Sequence, residues 1–541
     1  MSNSIKYLSL SFASGLALAI AWPVNGITIL IFIALIPLFY LEDLISKDVQ
    51  KRKNLRVFSY SYLSFLIWNL FTTWWLYNST VFGMLFANLC NSLFYALIFV
   101  IYFWAKNKLP VKSAYIFLIS LWISFEKLHL IWDFSWTWLN LGNVFSEKIY
   151  WIQWYEYTGA FGGSLWVLII NIWIYSSIIN QRVFTFKTFT QNLVLPIMGI
   201  VLPIIISLYL YQKVETPKKT IEVALIQPNI DPYSTKYKLT NKNLLNQFFN
   251  QCKPYITKKT DFILAPETYF AEGYGEELKN FKNNILHIEI QKKLADTPNI
   301  QLISGIQFYD TYVQENSPSF TANLIRKNLW VEYYNSALSE QYQKDFEVYH
   351  KSKLVVGVEN MPFKKFLKPL LGDFMIDMGG TVASRMIQEK RSVFTHYITK
   401  EKAAPVICYE SIFGEFVTGY IKQGATFLAI ISNDAWWGET PGHKQLMSYA
   451  RLRAIENRRD IARSANTGIS AIINARGEII KKTKFNTKTV LLGSIASRSK
   501  LTFYTIYGDI IARWSIFIAT TLFLLALSGR LKNQKILSKN S

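Results

Sequence analysis

At 541 residues the chain is long enough for two substantial units; 51% of it is hydrophobic, yet 58 Lys+Arg stand against 36 Asp+Glu. In a nucleic-acid-binding protein such charge gathers on a soluble face, whereas here it borders long apolar runs, so nucleic acid is excluded as a partner and a membrane is implied. Cys90, Cys252 and Cys408 make no disulfide framework, and with no CxxC pair and no HExxH spacing neither a metal nor another cofactor is expected.

Crossing the hydrocarbon core takes about 20 residues of helix. Runs of that kind stand at roughly 5–22, 26–41, 57–77, 82–104, 114–132, 164–180 and 195–212, and one more at roughly 508–529. Only Pro23 to Gly26 separates the first run from the second, which favours a helical hairpin over a signal peptide. Glu126, Lys127 and Arg513 are costly in lipid and are expected to face protein, water or headgroups. Basic residues fill alternate loops: Lys47, Lys51, Arg52, Lys53 and Arg56; then Lys106, Lys108 and Lys112; then Arg182 and Lys187; and finally Arg530, Lys532, Lys535 and Lys539. With seven helices ahead of the large domain, all of these fall on the cytoplasmic side. The expected division is therefore a bundle of about seven membrane helices over residues 1–214, an extracytoplasmic domain over 215–505, and a membrane helix with a basic cytoplasmic tail over 506–541.

The middle region has a different texture. Short β-rich runs at Ile221–Gln227, Phe262–Ala265, Ile300–Ile306, Ala404–Cys408, Thr426–Ser432 and Ser470–Ala475 are interspersed with helical patterns at Glu277–Ala295 and His443–Arg459. Strands alternating with helices predict an α/β domain.

Three points in it carry chemistry. Asp261-Phe-Ile-Leu-Ala-Pro-Glu267 reads as a buried strand that Pro266 stops, delivering Glu267 at its carboxyl end, where α/β domains collect reactive groups. A carboxylate held there against apolar walls loses hydration and becomes a better general base, although the motif alone fits a hydrogen-bonded loop carboxylate equally well. Ala404-Pro-Val-Ile-Cys408 repeats the design with a thiol, which needs a nearby positive charge or base to act as a nucleophile; a small buried hydrophobe is the commoner fate of a free cysteine. Lys351 offers that charge, but it is one of many lysines. Cys252, in Asn250-Gln-Cys-Lys, is read as structural, and a disulfide between it and Cys408 would consume the nucleophile.

Taken together, the three points resemble the nitrilase superfamily, whose Glu–Lys–Cys triad follows that chain order. The fusion to membrane helices resembles the apolipoprotein N-acyltransferase family. The resemblance rests on Ile226-Gln-Pro-Asn229, Ala265-Pro-Glu267, Tyr334-Asn-Ser336, Tyr349-His-Lys351, Cys408-Tyr-Glu410, Ser432-Asn-Asp-Ala-Trp436 with Gly438, Arg451 to Glu456, and Asn466-Thr-Gly468. Trp138-Leu-Asn-Leu-Gly142 and Gly163-Ser164 add to it from the membrane part.

The resemblance implies an αββα sandwich with Glu267 as base, Lys351 as oxyanion-stabilising cation and Cys408 as nucleophile. It also implies that Glu359 orients Lys351, that Tyr409 and Glu410 shape the pocket beside the thiol, and that Trp436 lines it. Asn433 and Tyr237, the latter near a position where the family often has tryptophan, complete the supporting set. Where the family often reads His-Leu-Val-Pro-Phe-Gly-Glu, this chain reads Lys353-Leu-Val-Val-Gly-Val-Glu359, so the spacing survives while the loop differs.

The implied reaction takes an acyl chain from a membrane phospholipid to a cysteine thioester. From there it passes to the α-amine of the diacylglyceryl-cysteine of apolipoproteins, in a monomer at the bacterial inner membrane with its catalytic domain on the periplasmic side. Phe363, Phe366, Leu370, Leu371, Phe374 and Met375 fit either a lipid-facing arm or an ordinary amphipathic helix. Two rivals are a membrane-tethered amidase with the same triad, and a transporter or receptor, which would call for paired intramembrane charges or broken helices in matching halves.

Overall fold

The computed structural model describes residues 3–179, 186–217, 219–231, 238–360 and 384–529. Tyr237 and the apolar run from Phe363 to Met375 lie outside the described residues. The chain divides into two compact units: Met1–Tyr77, Val81–Lys213 and Tyr507–Ser541 form one, and Asn78–Thr80 with Val214–Ile506 the other.

All eight apolar runs of the first unit are helical: α1 (Asn3–Ala21), α2 (Ile36–Lys47), α3 (Lys53–Thr73), α4 (Val81–Lys106), α5 (Val111–Leu128), α6 (Ala160–Ile179), α7 (Phe186–Lys213) and the C-terminal helix Ile510–Ser528. Among the described residues, six stretches are long and apolar enough to cross a membrane. The other two helices are α3, which carries Lys53, Arg56 and Asn69, and α5, which carries Lys112, Glu126 and Lys127. The second run is broken, with a 3-10 turn at Thr28–Phe32 preceding α2. A break in an apolar interior frees backbone groups that must find partners. Here Asn171 of α6 supplies them, donating to Ile31 O at 2.8 Å and accepting from Leu35 N at 2.9 Å. Pro203 inside α7 has no N–H for the carbonyl of Gly199, and Trp166 Nε1 donates to it instead at 2.8 Å.

The awkward charges are satisfied within this unit. Glu126 is fully buried, accepting from Trp122 Nε1 at 3.1 Å, Leu141 N at 2.7 Å and Ser164 Oγ at 2.6 Å. It thereby ties Trp138-Leu-Asn-Leu-Gly142 to Gly163-Ser164, which gives both motifs a structural purpose. Gly142 fits there because a Cβ would lie 1.9 Å from Ala160 O. Lys127 pairs with Asp509 at 2.8 Å, and Arg513 donates to Tyr507 O.

The strands of the second unit are β1 (Thr220–Gln227), β2 (Thr260–Leu264), β3 (Glu276–Glu277), β4 (Gln301–Val313), β5 (Asn323–Arg326), β6 (Leu329–Gln341), β7 (Glu347–His350), β8 (Phe394–Thr395), β9 (Lys402–Ile407), β10 (Phe427–Ser432), β11 (Ile461–Ala465), β12 (Ala471–Ile473), β13 (Ile479–Lys482) and β14 (Thr489–Ala496). One sheet runs β14-β1-β2-β4-β6-β5, with β3 beside β4 and β7 beside β6; the other runs β13-β12-β11-β10-β9-β8. Alternating side chains give the first sheet two apolar faces. Ala224, Ile226, Ile263 and Leu302 meet Leu244, Phe248 and Cys252 of α8 (Asn241–Cys252) and Ile290 of α9 (Ile285–Leu294). From the other face Phe262 meets Phe427 of the second sheet, ring centroids 5.1 Å apart. Helices α10 (Gly414–Lys422) and α11 (Pro441–Asn457) follow β9 and β10 in the chain.

The pattern over Glu277–Ala295 predicts one helix, but α9 starts only at Ile285. Asn284 caps it by accepting from Leu286 N, and the asparagines at 280, 283 and 284 favour such caps and turns over helix interior. Strands β1, β2 and β4 are parallel neighbours, as are β9, β10 and β11, and the carboxyl ends of β2, β9 and β10 deliver the residues that matter next.

Candidate active site

Glu267 leaves β2 through Pro266 into a left-handed residue, Thr268, at φ +48°. Gly305 on β4 makes room for this turn, since a Cβ there would stand 2.3 Å from Thr268 N and 2.5 Å from Pro266 O. Lys351 follows β7, and its backbone N–H donates to Asn335 O at 2.8 Å. Cys408 is the first residue past β9 and is held at φ +48°, a conformation costing a β-carbon-bearing residue about 1–3 kcal/mol. Such strain gathers where a side chain has to be aimed.

Glu267 and Lys351 meet: Lys351 Nζ lies 2.8 Å from Glu267 Oε1 and 2.8 Å from Glu359 Oε2, and its side chain is only 1% exposed. Asn335 Nδ2 joins the two carboxylates, donating to Glu267 Oε1 at 2.8 Å and to Glu359 Oε1 at 2.7 Å. The apolar walls expected around Glu267 are therefore replaced by an ammonium, an amide and the backbone N–H of Asn433 at 3.2 Å. Glu359 also accepts from Val355 N at 2.9 Å, closing a turn in which Gly357 sits at φ +78°. The loop that departs from the family pattern thus still returns its carboxylate to the lysine.

Burial works against the Lys351 ammonium, but Glu267, Glu359 and Cys408 outweigh it and hold this group above the usual lysine range. Burial likewise opposes the Glu359 carboxylate, while Lys351 and Arg385 bring it below its ordinary value. The Cys408 thiol is pushed up, first by burial and then by the charge of Glu267, against the opposing pull of Lys351. From the sequence, Lys351 is expected to favour a thiolate. Its charge does pull the thiol that way, but burial, and after it the charge of Glu267, outweigh that pull, so the proton is harder to remove than from a free cysteine.

Glu410 sits immediately behind the nucleophile and is fully buried. It accepts from Tyr349 OH at 2.7 Å, Ser352 N at 2.7 Å, Ile407 N at 2.8 Å and Tyr420 OH at 3.2 Å. Its carboxylate thus holds two backbone N–H groups and two tyrosine hydroxyls close behind the thiol. Tyr409 is buried, its ring 5.1 Å from that of Phe413. Asn433 presents its N–H to Glu267 while its side-chain oxygen accepts from Asn466 Nδ2 at 3.1 Å. Trp436 is half-buried on the 3-10 turn Asp434–Trp437. Cys252 lies in the apolar core, where burial pushes its thiol up, and all three cysteines are free. Nothing in the sequence assigns Asn335 a role of its own; its place in Tyr334-Asn-Ser336 is the signal that points to it.

Two family descriptions match: "Apolipoprotein N-acyltransferase N-terminal domain" over residues 14–173 and "Carbon-nitrogen hydrolase" over residues 222–501. The apolipoprotein N-acyltransferase of Chlorobaculum tepidum is 27% identical over 96% of this chain and 96% of its own length. That of Rickettsia prowazekii is 30% identical over 81% of this chain and 79% of its own, and that of Haemophilus influenzae 28% identical over 77% and 74%. The chain belongs to the apolipoprotein N-acyltransferase family, an N-acyltransferase whose second unit is a carbon-nitrogen hydrolase domain.

Proposed function

We propose that the chain moves an acyl group from a membrane phospholipid to the α-amine of the diacylglyceryl-cysteine of apolipoproteins, through a thioester on Cys408. The observation that carries this reading is the Lys351 ammonium 2.8 Å from Glu267, beside a cysteine aimed by a left-handed turn. Glu267 takes the thiol proton, Cys408 attacks the ester carbonyl, Lys351 stabilises the oxyanion, and Glu267 returns the proton to the lysophospholipid oxygen as it leaves. The incoming amine then attacks the thioester while Glu267, deprotonated again, takes its proton and passes it to the departing Cys408 sulfur. Splitting the transfer lets two bulky lipids use the site in turn.

The test is direct. Phospholipid alone should leave an acyl group on the protein that hydroxylamine removes. A diacylated lipopeptide with a free amine should discharge it to an amide, whereas its N-acetylated form should not. A stable protein that never acquires the thioester in phospholipid bilayers would sink the reading.

The proposed setting is a monomer in the bacterial inner membrane. It comprises a bundle over 1–214, a periplasmic catalytic domain over 215–505, and a last helix with a cytoplasmic tail over 506–541. Trp436, Tyr409 and Tyr237 are proposed to contact the acyl substrate. The one-sided basic loops support this orientation. A cytoplasm-active reporter fused after Lys187 or Ser541 should be active and one at Pro217 silent; activity at Pro217 would invert the orientation.

A further inference from the structure

The motif from Arg451 to Glu456 lies on α11, and the mechanism above does not use it. Within it the side chains of Arg453 and Glu456 are 2% and 0% exposed and pair through Nη2 and Oε1 at 2.6 Å. The nucleophile opens a five-residue 3-10 turn, Cys408–Ile412. Arg453 Nη1 crosses to the end of that turn, where it donates to Ile412 O and reaches Ser411 O at 3.5 Å. Carbonyls at the end of so short a helix lack partners within it, and buried ones cannot turn to water. Ser411 Oγ donates to Cys408 O at 2.7 Å, so the end of the turn is braced to its start. Gly414, the first residue of α10, leaves room for the guanidinium, since a Cβ there would lie 3.3 Å from Arg453 Cζ and 3.1 Å from Glu456 Oε2.

We infer that Arg453 is a positioning residue for the nucleophile: it clamps the far end of the turn that Cys408 opens, and Glu456 holds the guanidinium in place. The inference rests on the reading of Cys408 as the acyl carrier. Cys408 sits at φ +48°, and a residue strained in that way persists only where its surroundings hold it. Glu410 fixes the entry to the turn through Ile407 N, and Arg453 fixes its close. A guanidinium suits this task because it is planar and presents its donors in a fixed fork. One group thus serves a carboxylate on its own helix and a carbonyl on a neighbouring element at the same time. A lysine ammonium is a point donor on a flexible stem and does not hold both in that geometry. With the clamp loosened, the turn relaxes and the sulfur drifts from Glu267 and from the carbonyl it attacks. Arg453 acts through the backbone of the turn and exchanges no proton.

The experiment follows a single turnover of acyl transfer from phospholipid to the full-length protein in bilayers. The amplitude counts folded sites, and the rate constant reports how well they are aligned. Arg453→Lys keeps the charge beside Glu456 and loses the fork. Its rate constant for thioester formation is expected to fall about tenfold, the scale of one hydrogen bond made by a charged group, with KM for phospholipid unchanged. Glu456→Gln, of the same shape, releases the guanidinium without removing it and should lower the same rate constant by a smaller factor. It decides the matter where Arg453→Lys yields no folded protein. Asp460→Asn is the control: Asp460 holds Ala475 N and Ala496 N at the amino end of β11, so its loss should lower the amplitude alone. Wild-type rate constants in the Arg453 and Glu456 variants, a loss expressed only in KM or amplitude, or an equal slowing in Asp460→Asn would overturn the inference. Cys408→Ala run alongside keeps the two claims apart: if it still carries the hydroxylamine-labile acyl group, the carrier assignment is wrong. If it carries none while Arg453→Lys and Glu456→Gln react at the wild-type rate, only the role of Arg453 is wrong.

Discussion

Cys408→Ser is expected to give a folded, inserted protein that forms no detectable acyl-enzyme from phospholipid, a loss of roughly 10⁴-fold or more. A serine hydroxyl is a far weaker acid than a thiol, so its proton is far costlier for the same base to remove. Cys252 is the control. It packs among Leu244, Leu245 and Phe248 in the apolar core, so Cys252→Ala should keep the thioester. Cys252→Ser would bury a hydroxyl there and lower stability by about 1–3 kcal/mol while leaving the chemistry alone. Labelling each variant with a radioactive acyl chain decides the matter. Retention of label by Cys408→Ser and its loss from Cys252→Ala would exchange the two roles.

Lys351→Met is expected to be almost as damaging, for two separable reasons. Removing an oxyanion donor alone slows acyl transfer by roughly 100- to 1000-fold. The substitution also leaves Glu267 and Glu359 buried together, bridged by Asn335, and breaking a buried ion pair from one side costs about 3–5 kcal/mol of stability. The thermal midpoint should therefore fall along with the rate of thioester formation. In the unaltered protein the lysine sits above its ordinary range, so it stays charged at neutral pH and no pH dependence there arises from it. Unchanged thioester kinetics in Lys351→Met would remove it from the mechanism.

The sequence was informative where physical patterns are local. Apolar length located the eight long helices described in the first unit, and short β-rich runs ending in Glu267 and Cys408 located the parallel strands that present them. It was uninformative where a pattern needs a distant partner. Strand β6 pairs along its whole length with β4, but its mixed polar residues give no clean alternation. The break before α2 is tolerable only because Asn171 reaches it from more than a hundred residues away. The raised thiol was likewise hidden, because the charge of Lys351 is visible in a sequence while the burial of Cys408 and its nearness to Glu267 are not.

Glu410 reaches Ser352 N, just beyond the first sheet's β7, and Ile407 N at the end of the second sheet's β9. Glu410 is thus one of the ties, with the Asn433 N–H on Glu267, that limit how far the two sheets can shear past one another near Lys351 and Cys408. Effective molarity falls steeply with misplacement, and an error of about 1 Å can cost on the order of 100-fold in rate. With Lys351 and Cys408 acting as proposed, a tie between the sheets bears on the rate of a reaction in which the tie itself exchanges no proton.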